Sequence, residues 1–586
     1  MTGKVSRANH RRRRLDQLMV VATLGLAIPF IAIAVRLATS TRHVFLSDDL
    51  ALIDVNTRDA FHFRQQLGPW DRFGWRHPGA SYFYLLAAVA RAVGSGPRAD
   101  FLGAVLINGL AALAIVWVIR RAAGRWPALW SALCIGLLAA IVTARTPVIS
   151  GHVASEASVG ALVSPWDPLI VVLPLVLFAT LCTVGVLGSW NYIVGASLVG
   201  SFVVQTNIGT LPIVGTLFLV TLSARLLPWD TWLLPNSASR GSSDRPDHIQ
   251  RKGVANRWWV IVGLLTLLVM WLPTIVEQAT NQPGNLTLIW RFFVSHSQPH
   301  SLSRGLDSIG AIDSAPAFAL SHPFRAAGGS LIHSLSALTI VVVVAAVGVT
   351  VGVIRHCHLG VFLAVGSLLG IVVSVVSATR VVGPIDNYLI YWELGIPILA
   401  ILAVGISALD EDVTAHHLAR SDITPSNGTD GSDTGPALAS PVNTRHTGSP
   451  WRALLVVAFS FMVAVLMVDV TRLPPMSRAS DNTVEAAWRL VAPALHGTRG
   501  VIEVGLGNGT SFWAFNTMAG LFDQLAISGY QPCVSPFWKT ALGVRHLCQG
   551  NPQVTVLLDP RSLARTSIHG FIGYTSQYAV QVSRTH

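Results

Sequence analysis

Two adjacent aspartates, Asp48 and Asp49, follow the first long apolar run of the chain, in the segment SDDLALIDVNTRD. A carboxylate at a membrane surface can act as general base on an acceptor hydroxyl. A like-charged neighbour and partial desolvation raise the pKa of one member of such a pair. The same residues, with Ser47, also fit an ordinary N-cap for a helix starting at Leu50. On that helix Asp49, Asn56 and the i, i+4 pair Asp54/Arg58 can line one side. Residues 68–79, GPWDRFGWRHPG, place Trp75 and His77 on either side of Arg76, before a turn closed by Pro78-Gly79. Arg72 and Arg76 can bind a phosphate at headgroup level, with Trp75 and Tyr82 as interfacial aromatics. The arginines fit snorkelling out of an aromatic belt equally well, and His77 alone reads as structural before catalytic.

Four further loops carry polar residues of the same kind. In SPWDP, Trp166 can stack on a sugar and Asp167 can hydrogen-bond it, although the flanking prolines also make a plain helix start. Gln205 and Asn207 close an otherwise apolar run, where polar groups facing a cavity are often functional. Glu277 stands before Pro283–Asn285, and Arg380 opens RVVGPIDN as a second phosphate contact or a snorkelling helix end. Near the C-terminus, Cys533 and Cys548 can form a disulfide in an oxidising compartment. No spacing supports a metal site, so the expected cofactor is none, with assistance by a divalent cation left open. GLGNGT (505–510) lacks the full G-x-G-x-x-G spacing and reads as a turn; no P-loop, zinc spacing or GxSxG occurs.

The elements that carry these residues follow from composition. Of 586 residues, 52% are hydrophobic and 12% charged, about half the charged fraction of soluble domains. The apolar residues fall in blocks of roughly 18, each long enough to cross a bilayer, which marks a mainly α, polytopic membrane protein and excludes an ordinary soluble enzyme. The net charge of +12 lies between the blocks, as topology anchors rather than a nucleic-acid surface. About eleven spans are expected, over 18–38, 101–118, 128–144, 169–187, 192–204, 211–226, 258–276, 331–354, 361–377, 388–409 and 454–470. Residues 82–93 are too short to cross and read as a juxtamembrane helix in the first outer loop.

The Lys/Arg distribution sets the orientation. RRRR at Arg11–Arg14 holds the N-terminus in the cytoplasm, residues 230–256 form a basic cytoplasmic loop, and 146–167 contain no Lys or Arg. The expected organisation is a cytoplasmic N-terminus (1–15), a transmembrane domain (16–470) and an extracytoplasmic α/β domain (471–586). Within the second, 40–100 is an outer loop, and 227–257 and 408–452 are cytoplasmic. Residues 410–450, rich in Ser, Thr, Gly, Asp and Pro, read as disordered. In the tail, VIEVGLG and VTVLLDP look like strands beside a helical SFWAFNTMAGLFDQLAI. With this topology the unusual polar residues converge on one face, outside the plasma membrane.

An acidic pair just after the first span, a juxtamembrane helix and many spans resemble the GT-C superfamily, integral-membrane glycosyltransferases that use polyprenyl-phosphate-linked sugars. The ordered set SDDLALIDVNTRD, LGPWDRFGWRHPGASYFYLL, SPWDP, VVQTNIGTLP, WLPTIVEQ with PGN, and RVVGPIDNYL looks like an actinobacterial branch of it. The resemblance covers most of the membrane region. It implies inverting transfer of a sugar from a polyprenyl-phosphate donor to an envelope glycan or glycolipid on the outer face, at the membrane lipids and without nucleic acid. The family's catalytic carboxylate maps onto Asp49, with Asp48 the close alternative. The branch usually shows N-H-P-G where this chain has Arg76-His77-Pro78-Gly79, and Q-T-H where it has Gln205-Thr206-Asn207. Those departures set positions 76 and 207 apart. The competing readings are a lipid or polysaccharide transporter or flippase, which needs polar groups near mid-span, and a non-catalytic scaffold of envelope synthesis.

Overall fold

The computed structural model describes residues 20, 22–41, 43–144, 162–226, 257–295, 299–409, 480–511, 513–562 and 570–584. The basic N-terminus, the loops 230–256 and 410–450, the expected span 454–470 and residues 146–161 lie outside the described residues. Ten of the eleven expected spans overlap them, and each coincides with a helix. These are α1 (Ala22–Ala38), α4 (Pro97–Ala123), α5 (Arg125–Ala144), α6 (Asp167–Leu187), α7 (Trp190–Thr206), α8 (Ile208–Leu226), α9 (Trp258–Thr280), α12 (Leu331–Ile354), α13 (His358–Thr379) and α14 (Asn387–Leu409). Seven of them, α4, α6, α8, α9, α12, α13 and α14, are long and apolar enough to cross a membrane. The protein is a multi-pass membrane protein. Small buried residues (Ala345, Ala364, Ser367, Ala403) let α12, α13 and α14 approach closely, the packing mode of helices that gain little from apolar burial in lipid.

Between α1 and α4 lie α2 (Asp48–Phe61), a two-stranded hairpin of β1 (Trp70–Asp71) and β2 (Trp75–Arg76), and α3 (Ser81–Val93). At 1.5 Å per residue α3 extends about 20 Å, short of a hydrocarbon core of about 30 Å. One Arg98 nitrogen donates to the carbonyl of Val93, where α3 ends, and another to that of Ala38, where α1 ends. The far end of α3 sits against Gln205 at the end of α7, through Ser81 N–H. Two helices that were not expected, α10 (Asn285–Ser295) and α11 (Leu302–Ser314), lie between α9 and α12. Both are short and mixed in polarity, so no apolar run announces them.

Residues after 480 form a separate lobe: α15 (Asn482–Ala494), β3 (Val501–Leu506), α16 (Ala514–Ile527), β4 (Gln531–Cys533), β5 (Val554–Pro560), β6 (Phe571–Tyr574) and β7 (Tyr578–Arg584). The sheet order is β4-β3-β5-β7-β6, with β4, β3 and β5 parallel and β7 and β6 antiparallel. Alternating Ile502, Val504 and Val554, Val556, Leu558 bury one sheet face under α16. Gly507 and Thr510 of GLGNGT bond the Leu558 carbonyl, closing a turn at the end of β3. Cys533 and Cys548 are joined by a disulfide.

The lobe rests on α2. Arg58 of α2 pairs with Asp523 of α16, His546 Nε2 stands 3.0 Å from Asp59 Oδ2, and Gln524 bonds His43 at 2.8 Å. Trp70 of the hairpin meets Phe515, which stacks on Trp538. The hairpin itself is fixed from the membrane side by close backbone approach. A Cβ at Gly68 would stand 2.7 Å from the Gln205 carbonyl oxygen and 2.9 Å from that of Gly79. Gly68→Ala is expected to lower stability by about 1–3 kcal/mol through overpacking, read as a drop in the thermal midpoint of the solubilised full chain.

Candidate active site

The GPWDRFGWRHPG segment reverses earlier than Pro78-Gly79. The turn falls at Asp71–Gly74, where Gly74 takes φ +84° and Asp71 Oδ1 accepts from Phe73 N–H at 3.0 Å. Period-2 alternation along β2 then sorts the side chains. Trp75 and His77 share one side, rings 5.5 Å apart, while Arg76 points to the other. There Arg76 donates to Asn56 Oδ1 at 2.6 Å, and its backbone exchanges bonds with the Asn285 side chain at 2.9 and 2.7 Å. Glu277 Oε2 in turn accepts from Asn285 N–H at 3.0 Å. Burial lowers the Arg76 guanidinium to about 10, against the opposing pull of Asp59 and Glu277. Its Nε has no partner among the described residues.

On the His77 side the loops meet around carboxylates. Asp49 Oδ2 accepts the indole N–H of Trp166 at 2.9 Å. Ser47 holds the N-cap position of α2 without a side-chain cap bond, and Asp48 enters the helix at φ +51°, a left-handed conformation costly to a non-glycine residue. Asp167, next to Trp166, accepts from Asn207 Nδ2 at 3.3 Å and lies 3.3 Å from His77 Nε2. Ile208 N–H donates to His77 Nδ1 at 3.1 Å, so the proton of the neutral ring sits on Nε2, facing Asp167. Burial, then Asp48 and Asp167, raise the Asp49 carboxyl well above its ordinary value, and the Trp166 N–H partly opposes them. Burial also raises Asp71, against His77. Among the described residues no three His, Cys, Asp or Glu side chains converge closely enough to hold one metal ion, and no step below is routed through one.

A third group closes the site laterally. Tyr388 stacks on Trp166 with centroids 5.4 Å apart. Arg72 lies over the Tyr388 ring at 5.6 Å and donates to Asp386 at 3.0 Å. Of the residues singled out in the sequence, Asp49, Asp48, Trp75, His77, Trp166, Asp167, Asn207 and Arg72 thus belong to one neighbourhood, with Arg76 and Glu277 on the far side of the hairpin. Gln205 supports it from beneath, bonding Met270 O and Ser81 N–H. Arg380 is exposed at the end of α13.

Asp54 and Arg58 belong elsewhere. Five residues on from Asp49 turns a helix by about 140°, so this pair faces the lobe rather than the site. Arg58 is clasped by Asp54 and Asp523. Burial pulls its guanidinium down, but those carboxylates outweigh it and hold it above its ordinary value. Sequence reading assigned no role to Asp71, Asp386, Tyr388 or Asp523. The first three stood within quoted motifs, whereas nothing in α16 marks Asp523, because its partner is 465 residues away.

No family model matches the sequence, and comparison with curated proteins finds no relative. Among solved structures, ArnT from Cupriavidus metallidurans in the apo state superposes with a TM-score of 0.53 at 11% identity, over 95% of this chain and 97% of that one. The chain has the GT-C fold. ArnT bound to undecaprenyl phosphate gives 0.49 at 14% identity over the same shares of both chains. The oligosaccharyltransferase of Archaeoglobus fulgidus gives 0.33 at 10% identity, over 89% of this chain and 65% of that one.

The docking of the lobe is expected to depend on pH. Burial, then Asp54, raise the Asp523 carboxyl well above its ordinary value, with Arg58 opposing. A carboxyl raised in the folded state stabilises fully below its unfolded pKa of about 3.9 and loses that contribution as pH rises through the folded value. The thermal midpoint of the solubilised wild type is therefore expected to decrease as pH rises above about 4, and Asp523→Asn to flatten that slope. Parallel slopes for the two proteins would show that Asp523 does not carry the effect.

Proposed function

We propose that the protein is a membrane glycosyltransferase that moves a sugar from a polyprenyl-phosphate donor to an acceptor hydroxyl on the outer face of the plasma membrane, with inversion. The observation that carries this reading is Asp49, a half-buried carboxylate oriented by the Trp166 N–H where five loops of a GT-C fold converge. ArnT, which shares the fold, has been seen with undecaprenyl phosphate bound, and that supplies the donor class. In the proposed orientation the N-terminus is cytoplasmic and the lobe extracytoplasmic.

In this mechanism Asp49 removes the acceptor hydroxyl proton while the acceptor oxygen forms a bond to the anomeric carbon. The bond from that carbon to the phosphate oxygen breaks, and the electron pair leaves with the lipid phosphate. Asp48 raises the basicity of Asp49, and Asp167, fixed by His77 and Asn207, keeps Trp166 in place. Arg72, beside Tyr388 and Trp166, is the cation for the departing phosphate; Arg76 is bonded to Asn56 on the far side of the hairpin, and Arg58 is engaged by Asp54 and Asp523. A transporter is disfavoured by where charge lies. In the seven long apolar helices every charged side chain stands within four residues of an end, except Glu393.

Membranes from cells expressing the protein, given radiolabelled polyprenyl-phospho-mannose or polyprenyl-phospho-arabinose and total envelope acceptors, test the reading. Asp49→Asn at equal protein level is expected to lower transfer by about 10²–10⁴-fold, the usual share of a general base. Transfer at the wild-type rate would remove Asp49 from the mechanism. Trp166→Phe removes a hydrogen bond that favours the ionised carboxylate, so the acid limb of kcat/KM is expected to move to higher pH. An unmoved limb would separate Trp166 from the base.

A further inference from the structure

An aromatic series leads away from the Asp49 contact. Trp166 is 1% exposed and stacks on Tyr388 at 5.4 Å. Tyr388 meets Phe324 at 5.5 Å, and Phe324 meets Trp513 of the lobe, edge to face, at 6.3 Å. Exposure rises along this series: Phe324 and Tyr388 are half-buried, and Trp513 is 61% exposed. Beside it lies the Arg72–Asp386 pair, whose Arg72 side chain is 32% exposed. The series therefore crosses from the membrane core to the lobe, and neither part contains it alone.

Sugar rings have an apolar C–H face and an edge of hydroxyls. A surface that binds them pairs aromatic faces with fixed donors and acceptors at the rim. A bare apolar patch suits a lipid or a protein and has no use for a paired arginine and aspartate between its rings. We propose that Trp513 and Phe324, with Tyr388 and the Arg72–Asp386 pair, form a carbohydrate track, so that the acceptor is a glycan chain held across the seam between core and lobe. This deepens the transferase reading and rests on it. The track grips sugar units behind the reacting one, while Asp49 handles the terminal hydroxyl.

The solubilised full chain is titrated without donor, by calorimetry, with an α-linked mannose hexasaccharide and with an arabinofuranose hexasaccharide. The expected result is binding of at least one of them, weakened tenfold or more by Trp513→Ala and by Phe324→Ala and largely restored by Trp513→Phe. In the transfer assay the same alanine variants are expected to raise KM for long glycan acceptors and leave kcat near wild type. Failure of both hexasaccharides to bind the wild type at millimolar concentration overturns the track. So does binding that neither alanine substitution weakens. Because binding needs no turnover, its loss leaves the transferase reading standing, whereas binding without any transfer keeps the track and removes the transferase. An unchanged thermal midpoint for Trp513→Ala, expected from its exposure, excludes misfolding as the cause.

Discussion

One half-buried guanidinium is clasped from both parts of the molecule. Arg58 lies between Asp54 on its own helix and Asp523 on the lobe, with both carboxylates fully enclosed. Taking charges out of water is costly, and removing one partner of such a group leaves an uncompensated charge worth about 3–5 kcal/mol. That is a large part of the net stability of a typical domain, about 5–15 kcal/mol. Because Asp49 sits on the same helix, the contact that docks the lobe also sets the rotation and depth of the candidate base. Two opposite faces of α2 are thus committed, one to Trp166 and Asn56–Arg76, the other to the lobe.

The polar residues at the site are held mostly by one another. His77 takes its tautomer from a backbone N–H and spends its remaining proton on Asp167; Asp167 also receives Asn207. Such chains orient side chains well because each member satisfies the next. Asn207 caps the turn after α7 through Gly209 N–H as well as reaching Asp167, and Arg76 donates to Asn56.

Most of the membrane architecture was legible in the sequence because lipid imposes a length and a composition on every span. The helix Leu331–Ile354 begins and ends where its apolar run does. The strands Val501–Leu506 and Val554–Pro560 were legible for a similar reason, as short runs rich in β-branched residues. The helices Asn285–Ser295 and Leu302–Ser314 were not, since short polar-faced helices leave no periodic signal strong enough to separate them from loop. At the site, the motifs marked the right loops but not the pairings. That Asp54 and Arg58 serve the lobe follows from Asp523, and no local rule connects residues so far apart in the chain.

That same separation governs how the molecule comes into being. The chain is made from its N-terminus, so α2 and both aspartates of its head are laid down long before α16. Until Asp523 arrives, Arg58 lacks its second carboxylate, and the surface of α2 that later lies under the lobe stays bare. A chain that ends before α16 keeps the seven long apolar helices yet lacks the partner that Arg58 finds in Asp523. Docking of the lobe therefore closes contacts on α2 that insertion of the spans alone leaves open.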